Sequence, residues 1–362
     1  MYVDFVVRRY PCPTVVFDGY EAGPSTKDHT HRRRTRGITG TRVIFEESTP
    51  FRSKKDIFLS NNQNKQDFIK MLSSELRKEG IDVKQAEADA DVLISKTAIE
   101  LSRSQSTTLF GEDTDLLVLL LFHADENCQL HIRSDKLNNN QKVWNIAEAK
   151  RSLGPNLCNL LPVIHALTGC DTTSRLYSIG KGLAIKKILS SESLCNSANV
   201  FLQRSVPEEE IIKAGEDIVA ALYGGVPHED LNTLRYRKFA YKVAANTTNL
   251  LQVQSLPPTS DALGHHSKRA YLQVTDWTSD TSLDPEMWGW KLCSGRLEPI
   301  KSVKPVAPST LLTVIRCKCK NDCDTRRCSC RKHGLDCTLA CSECRGQSCS
   351  NSQSIMEDEP LI

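Results

Sequence analysis

Nine of the fifteen cysteines in this 362-residue chain lie between Cys317 and Cys349: Cys317, Cys319, Cys323, Cys328, Cys330, Cys337, Cys341, Cys344 and Cys349. The surrounding stretch is rich in Lys and Arg and poor in large apolar side chains. It cannot bury a core of its own and folds only if something cross-links it. Disulfides and soft metal ions are the two candidates. An odd number of thiols does not close into pairs. The opening residues, Met-Tyr-Val-Asp-Phe-Val-Val-Arg-Arg, lack the apolar core of a signal peptide, so a reducing setting is expected. Clustered thiolates there point to zinc. Nine are too many for two separate tetrahedral sites and too few for three. About three structural zinc ions fit if some sulfurs bridge two metals.

A second chemistry is carried by acids. Asp18 closes the apolar run 14–17; Glu87, Asp89 and Asp91 stand in AEADAD; Asp113 and Asp115 in GEDTD; Asp171 in TGCD. Any one of these is also an ordinary helix cap or turn residue. Together they fall at strand ends and helix starts, where ligands of an open parallel sheet gather. Asp113 and Asp115 are two apart, so an extended turn would aim both at one site. Converging carboxylates cannot all stay charged without a cation. Oxygen donors select magnesium or manganese, one or two ions. Such a pair clamps the attacking and leaving oxygens of a phosphodiester displacement.

The elements that would position these acids alternate. A buried strand is expected at 14–18, helices at 64–79 (stopped by Gly80) and 87–102, and strands at 107–110 and 129–132. Helices follow near 146–153 and 160–167, and the apolar run 116–122 is of a size for strand or helix core. Strands alternating with helices indicate an α/β fold with a parallel sheet. Residues 186–252 read as mostly helical. Residues 256–310, with prolines and three tryptophans, read as an extended connector packed through those tryptophans. Cys12, Cys128, Cys158, Cys170, Cys195 and Cys293 are expected to be buried thiols and His165 a core histidine. His265 and His266 are assigned no metal.

Bulk composition is ordinary for a globular protein, and the net charge of +3 says little. Its distribution says more. Arg32, Arg33, Arg34 and Arg36 form one basic run. Arg316, Lys318, Lys320, Arg326, Arg327, Arg331 and Lys332 form another among the cysteines, and the tail from Met356 is acidic. Basic clusters suit a polyanion, DNA first and RNA as the alternative, although one Arg run is also a solvated surface or an import signal. No apolar stretch is long enough to span a membrane, and no protein partner is indicated.

Two resemblances sharpen these expectations. CKCKNDCDTRRCSCRKHGLDCTLACSECRGQSCSN resembles the CXC domain of tesmin and TSO1-like proteins, with its paired C-x-C motifs and a closing Cys-x-Asn at Asn351. That implies zinc-dependent DNA binding and a nuclear location. Arg327 stands where the family often has a Tyr that enters the minor groove. VVFDG (15–19), AEADAD (86–91), GEDTD (111–115), TGCD (168–171) and SIGKG (178–182) occur in the order of the flap endonucleases and related PIN-like 5′ nucleases. This resemblance spans residues 1 to about 190. It implies metal-binding roles for Asp18, Glu87, Asp89 (with Asp91 as the alternative), Asp113, Asp115 and Asp171. It implies a helix–two-turn–helix in which Ile179, Gly180, Lys181 and Gly182 meet a DNA phosphate, and a basic arch near Lys27 and Arg32. The family's sheet has a further strand ahead of the region resembled. Met1 lies only seventeen residues before Asp18, so a gapped sheet is expected here.

The expected architecture is a PIN-like α/β domain over 1–190, a helical extension over 191–255, the connector over 256–310, the zinc-cysteine module over 311–351 and the acidic tail over 352–362. Two readings follow. One is a DNA-associated protein with a magnesium- or manganese-dependent nuclease-like domain targeted by the zinc module. The other is a non-catalytic DNA-binding or regulatory protein on a degenerate PIN-like scaffold, with a mobile-element origin open.

Overall fold

Residues 2–20, 23–34, 37, 39–50, 54–135, 143–227, 229–245, 253–303, 317–320, 323–332, 335–337, 341, 343–346 and 349–352 are described in a computed structural model of the chain. They group into two units. One holds Met1–Arg175, Lys181–Ala214 and His266–Ile300; the other holds Leu176–Gly180, Gly215–His265 and Lys301–Ile362.

The first unit opens with helix α1 (Tyr2–Arg9) and strand β1 (Thr14–Phe17), then helices α2 (Asp28–Arg34), α3 (Lys55–Leu59) and α4 (Asn62–Lys78). Sequence signals bound α4 well. The Asn61 side chain caps it by accepting from the Asn64 amide at 3.1 Å, and Gly80 ends it at φ +76°. Strand β2 (Asp82–Gln85) pairs parallel with β1, Thr14 opposite Asp82. Helix α5 (Asp91–Ser102) starts four residues later than the expected 87. The run before it is held against the chain after β1: the Ala86 amide donates to the Phe17 carbonyl at 2.9 Å, and Gly19 donates to Ala88 at 2.7 Å.

Strand β3 (Thr107–Phe110), helix α6 (Thr114–His123), strands β4 (Leu130–Arg133) and β5 (Val143–Asn145), and helices α7 (Ile146–Leu153) and α8 (Pro155–Thr168) follow. The apolar run 116–122 is helix, not strand. Packed between α5 and α8, α6 buries Leu116, Val118, Leu119, Leu120 and Leu121, as an all-round apolar helix must. Strands β3 and β4 are parallel; β4 and β5 are antiparallel. A gapped parallel sheet was expected, and among the described residues the strands form small sheets in a mixed α/β unit: β1 pairs with β2, and β3 pairs with β4, which also pairs with β5.

Helices α9 (Lys181–Leu189), α10 (Glu192–Val200), α11 (Glu208–Leu222) and α12 (Leu231–Ala245) occupy the region expected to be helical. The extended connector expected over 256–310 is corrected. Ser260–Thr278 forms the 19-residue helix α13, and β6 (Trp290–Cys293) and β7 (Arg296–Pro299) form an antiparallel hairpin. The prolines flank α13 rather than interrupt it. Leu263, Ala270, Val274 and Trp277 give it a buried face at helical spacing. The tryptophans do pack: Trp277 and Trp290 are buried, and Trp288 lies 4.7 Å from the Tyr271 ring. Of the six scattered cysteines, Cys158 is buried and Cys128, Cys170, Cys195 and Cys293 are half-buried. Cys12 is exposed, at φ +47°.

His266 on α13 is fully enclosed. Its Nε2–H donates to the Leu167 carbonyl at 2.9 Å, which leaves a bare Nδ1 with no partner. Burial lowers this imidazole to about 4, although the Leu167 bond opposes the shift. The unfolded chain takes up the proton first, near pH 6.5. Stability is therefore fully present above about pH 6.5 and falls as pH drops towards 4. Urea unfolding from pH 7 to pH 4.5 should show a loss of roughly 2–3 kcal/mol assignable to this residue, absent in His266→Gln.

Candidate metal centres

The acids at the strand ends gather in one cleft of about 180 Å³, lined by Asp18, Asp89, Asp91, Asp113 and Asp171 together with Lys27 and Arg34. Asp18 ends β1. Its Oδ1 accepts from the Ala90 amide at 3.0 Å, at the start of α5, and its Oδ2 accepts from the Tyr20 hydroxyl at 3.0 Å. Lys65 bonds the same hydroxyl. Gly19 is dictated by close approach: a Cβ there would sit 2.2 Å from the carbonyl oxygens of Ala86 and Glu87.

Helix α2 supplies the cations. Lys27, just ahead of it, places Nζ 2.6 Å from Asp89 and 3.0 Å from Asp91. Arg34 reaches both oxygens of Asp171 at 2.7 and 2.9 Å, and the Thr30 hydroxyl donates to the Asp171 carbonyl at 2.6 Å. Burial and the neighbouring Asp89 raise the Asp91 carboxyl to about 7, against the pull of Lys27. Burial opposes charge on Lys27, but Asp89 and Asp91 outweigh it and hold the ammonium protonated. Two carboxylates share one ammonium, so negative charge remains in excess.

Asp115 is turned away from this cleft. It is buried, with its Oδ1 2.6 Å from His165 Nε2. The expected extended turn is absent because α6 begins at Thr114. Asp113 becomes its cap, accepting from the Asp115 amide at 3.0 Å, and residues two apart on a helix point in nearly opposite directions. Glu87 is exposed and does not line the cleft. Arg32 pairs with Glu298 at 3.4 Å, and Arg34 takes the position beside the acids. His165 is a core histidine, its ring 5.8 Å from Trp277. Sequence reasoning missed Arg34, which was read only as part of a basic run.

Ile179 is buried, and its amide donates to the Leu176 carbonyl at 3.4 Å. Lys181 opens α9 and donates from Nζ to the Gly169 carbonyl at 2.9 Å. A Cβ at Gly180 or Gly182 would meet open space.

The cysteine-rich module is described by itself. Cys317, Cys323, Cys328, Cys330, Cys337, Cys341 and Cys344 are buried on one another, with Cys319 and Cys349 partly buried at the edge. All nine are free of disulfides. Sulfur–sulfur separations are 3.8 Å for Cys317–Cys323, 3.9 Å for Cys317–Cys337, 3.6 Å for Cys317–Cys344, 3.8 Å for Cys328–Cys337 and 3.5 Å for Cys330–Cys341. A disulfide needs about 2.05 Å. Four sulfurs each about 2.3 Å from a tetrahedral zinc lie about 3.8 Å apart. The sulfurs therefore stand at the edge lengths of zinc tetrahedra, and the module can hold metal.

Three sulfur sets lie within 4.8 Å: Cys317 with Cys330, Cys337 and Cys341; Cys317 with Cys323, Cys328 and Cys337; and Cys323 with Cys337, Cys344 and Cys349. Cys337 belongs to all three. Asn351 fixes it: the Cys337 amide donates to the Asn351 carbonyl at 2.6 Å, and Asn351 Nδ2 reaches Cys337 Sγ at 3.5 Å and the Leu335 carbonyl at 2.8 Å. Burial pushes the thiols of Cys317, Cys323 and Cys337 far up, so a cation is needed to hold them as thiolates. The short helix α14 (Ser329–Lys332) carries Cys330. Around the sulfurs Lys318, Lys320, Arg326, Arg327 and Lys332 are exposed, and Arg316 lies outside the described residues.

No protein-family model matches this chain, and no curated protein or solved structure matches it either. Geometry alone thus characterises it as a mixed α/β protein with a C-terminal cluster of closely spaced cysteines compatible with a zinc-binding module.

Proposed function

We propose that this is a nuclear, DNA-associated protein in which a CXC-like zinc-cysteine module targets a flap-endonuclease-like, PIN-like domain to nucleic acid. The observation that carries the reading is the sulfur network at 3.5–3.9 Å inside a shell of exposed Lys and Arg. Three zinc ions satisfy it with nine thiolates if Cys317, Cys323 and Cys337, the sulfurs common to more than one set, bridge. Each of these three then bridges two metals, so Cys337 serves two of its three sets and Cys319 takes the place left in the third. The basic shell supplies phosphate contacts, with Arg327 on the exposed face.

The acidic cleft supports the nuclease-like part. Its donors are hard oxygens, and the acids that line it outnumber Lys27 and Arg34. Asp18, Asp89, Asp91, Asp113 and Asp171 would hold magnesium or manganese. When bound, such ions supply Lewis-acid stabilisation and an activated water. Lys27 and Arg34 would turn from the acids to a phosphate, and the amides at Ile179–Gly182 would meet the strand backbone.

A second reading is favoured by one observation. Lys27 and Arg34 already neutralise part of the cleft, and Asp115 is committed to His165. A non-catalytic DNA-binding scaffold would look like this. Incubating the zinc-loaded chain with flapped DNA and manganese separates the two. Cutting that is lost in Asp18→Ala with Asp171→Ala supports the nuclease. Binding without cutting supports the scaffold.

Zinc content gives a sharper expectation. The purified chain should carry about three zinc ions under reducing conditions. Cys337→Ser should lose more than one and Cys349→Ser at most one, read by elemental analysis with native mass spectrometry. DNA affinity should fall steeply with salt, and Arg327→Ala should reduce the slope of log K against log salt by about 1. A slope near zero would remove DNA from the proposal.

A further inference from the structure

The acids of the cleft fall into two groups by what already touches them. Asp18 is met by neutral donors, the Ala90 amide at 3.0 Å and the Tyr20 hydroxyl at 3.0 Å. Asp113 accepts from the Asp115 amide at 3.0 Å. Among the described residues neither forms an ion pair, and Lys65 stops at the Tyr20 hydroxyl, one group short of Asp18. Asp28 also lines the cleft, but it turns back to accept from the Ser25 amide at 2.9 Å.

Asp89, Asp91 and Asp171 are the other group, and each already holds a cation. Lys27 Nζ lies 2.6 Å from Asp89 and 3.0 Å from Asp91. Arg34 Nη2 lies 2.7 and 2.9 Å from the two oxygens of Asp171. Magnesium sits about 2.1 Å from its oxygens and demands a nearly ideal octahedron around it. An ion placed on these oxygens would stand within a few ångströms of the ammonium or the guanidinium, where like charges repel strongly. The metal and the two side chains therefore compete for the same oxygens.

The backbone that carries the two cations is anchored. Thr30 is buried and donates to the Asp171 carbonyl at 2.6 Å, α2 packs on β7, and Arg32 pairs with Glu298 at 3.4 Å. The side chains differ. Arg34 is 59 % exposed and has solvent in which to turn. Lys27 is only 15 % exposed, so its ammonium leaves the acids at low cost only if another anion replaces them. A phosphodiester is such an anion, and both guanidinium and ammonium groups suit its oxygens.

Resting on the nuclease-like reading, we propose that Lys27 and Arg34 are a built-in lock on the second metal position. Without nucleic acid the cleft takes one divalent ion, at Asp18 and Asp113. The second enters at Asp89, Asp91 and Asp171 when a phosphodiester draws the two side chains away. By linkage, the second ion and the phosphodiester tighten each other's binding by the same factor.

Manganese is the probe, counted on the full, zinc-loaded chain by the electron paramagnetic resonance signal of the free ion. The unmodified chain should bind one ion tightly. A thymidine dinucleotide, which carries one phosphodiester, should tighten a second by about tenfold or more. Lys27→Met with Arg34→Met should bind two ions without the dinucleotide. Arg32→Met with Arg33→Met removes as much charge from the same region without touching a cleft acid and should stay at one. Asp18→Ala with Asp113→Ala should lose the first ion. Two tight ions on the unmodified chain alone, or no response to the dinucleotide, overturn the proposal. So do one ion after Lys27→Met with Arg34→Met, two after Arg32→Met with Arg33→Met, or a first ion kept after Asp18→Ala with Asp113→Ala. If the Lys27→Met, Arg34→Met protein misfolds, the dinucleotide titration of the unmodified chain decides. Cutting of flapped DNA judges the nuclease reading apart. Cutting by a chain that holds two ions throughout removes the lock and keeps that reading, whereas no manganese bound by any form removes both.

Discussion

Negative charge crowded more tightly than it can be left alone is the constraint under which both chemical regions of this chain are built. At the cleft, Asp89 and Asp91 stand around one ammonium, and Asp171 is forked by one guanidinium. These ion pairs, with the Thr30 bond, are what attach α2 to the strand ends, for the segment around it has little apolar surface. In the cysteine-rich module the same problem is more acute. Buried sulfurs at 3.5–3.9 Å cannot be thiolates together without cations between them. The first region meets part of its problem with its own side chains, Lys27 and Arg34; the sulfur sets of the second are all thiols and need a cation among them.

The fold was legible where local signals and packing agree. Asn61 and Gly80 bound α4 as their types dictate, and residues 146–153 form the helix expected. It was misread where one residue's helix start changes the direction of the next. Asp113 capping α6 sends Asp115 inward to His165, and nothing local in GEDTD distinguishes that from an extended turn. The prolines and tryptophans of 256–310 suggested a connector. Yet the stretch between the prolines has the periodicity of a buried helix, and α13 uses it. Arg34 was invisible for the reason most long-range features are. Its partner, Asp171, is far away in sequence.

The cysteine cluster is the opposite case. Count, parity and basic composition pointed to shared thiolates. The geometry adds which sulfurs belong to more than one candidate metal set, with Cys337 in all three and Asn351 holding it. Closing residues such as Asn351 matter because a bridging thiolate needs its orientation fixed from outside the metal shell.

The central claim is that the C-terminal sulfurs hold a zinc cluster with bridging thiolates. Zinc-edge X-ray absorption on the purified, reduced chain tests it most directly. The account predicts a first shell of sulfur alone, four per zinc at about 2.3 Å, with a second feature from neighbouring zinc ions. Nitrogen or oxygen in the first shell, isolated zinc without metal neighbours, or cysteines found oxidised in pairs would contradict it.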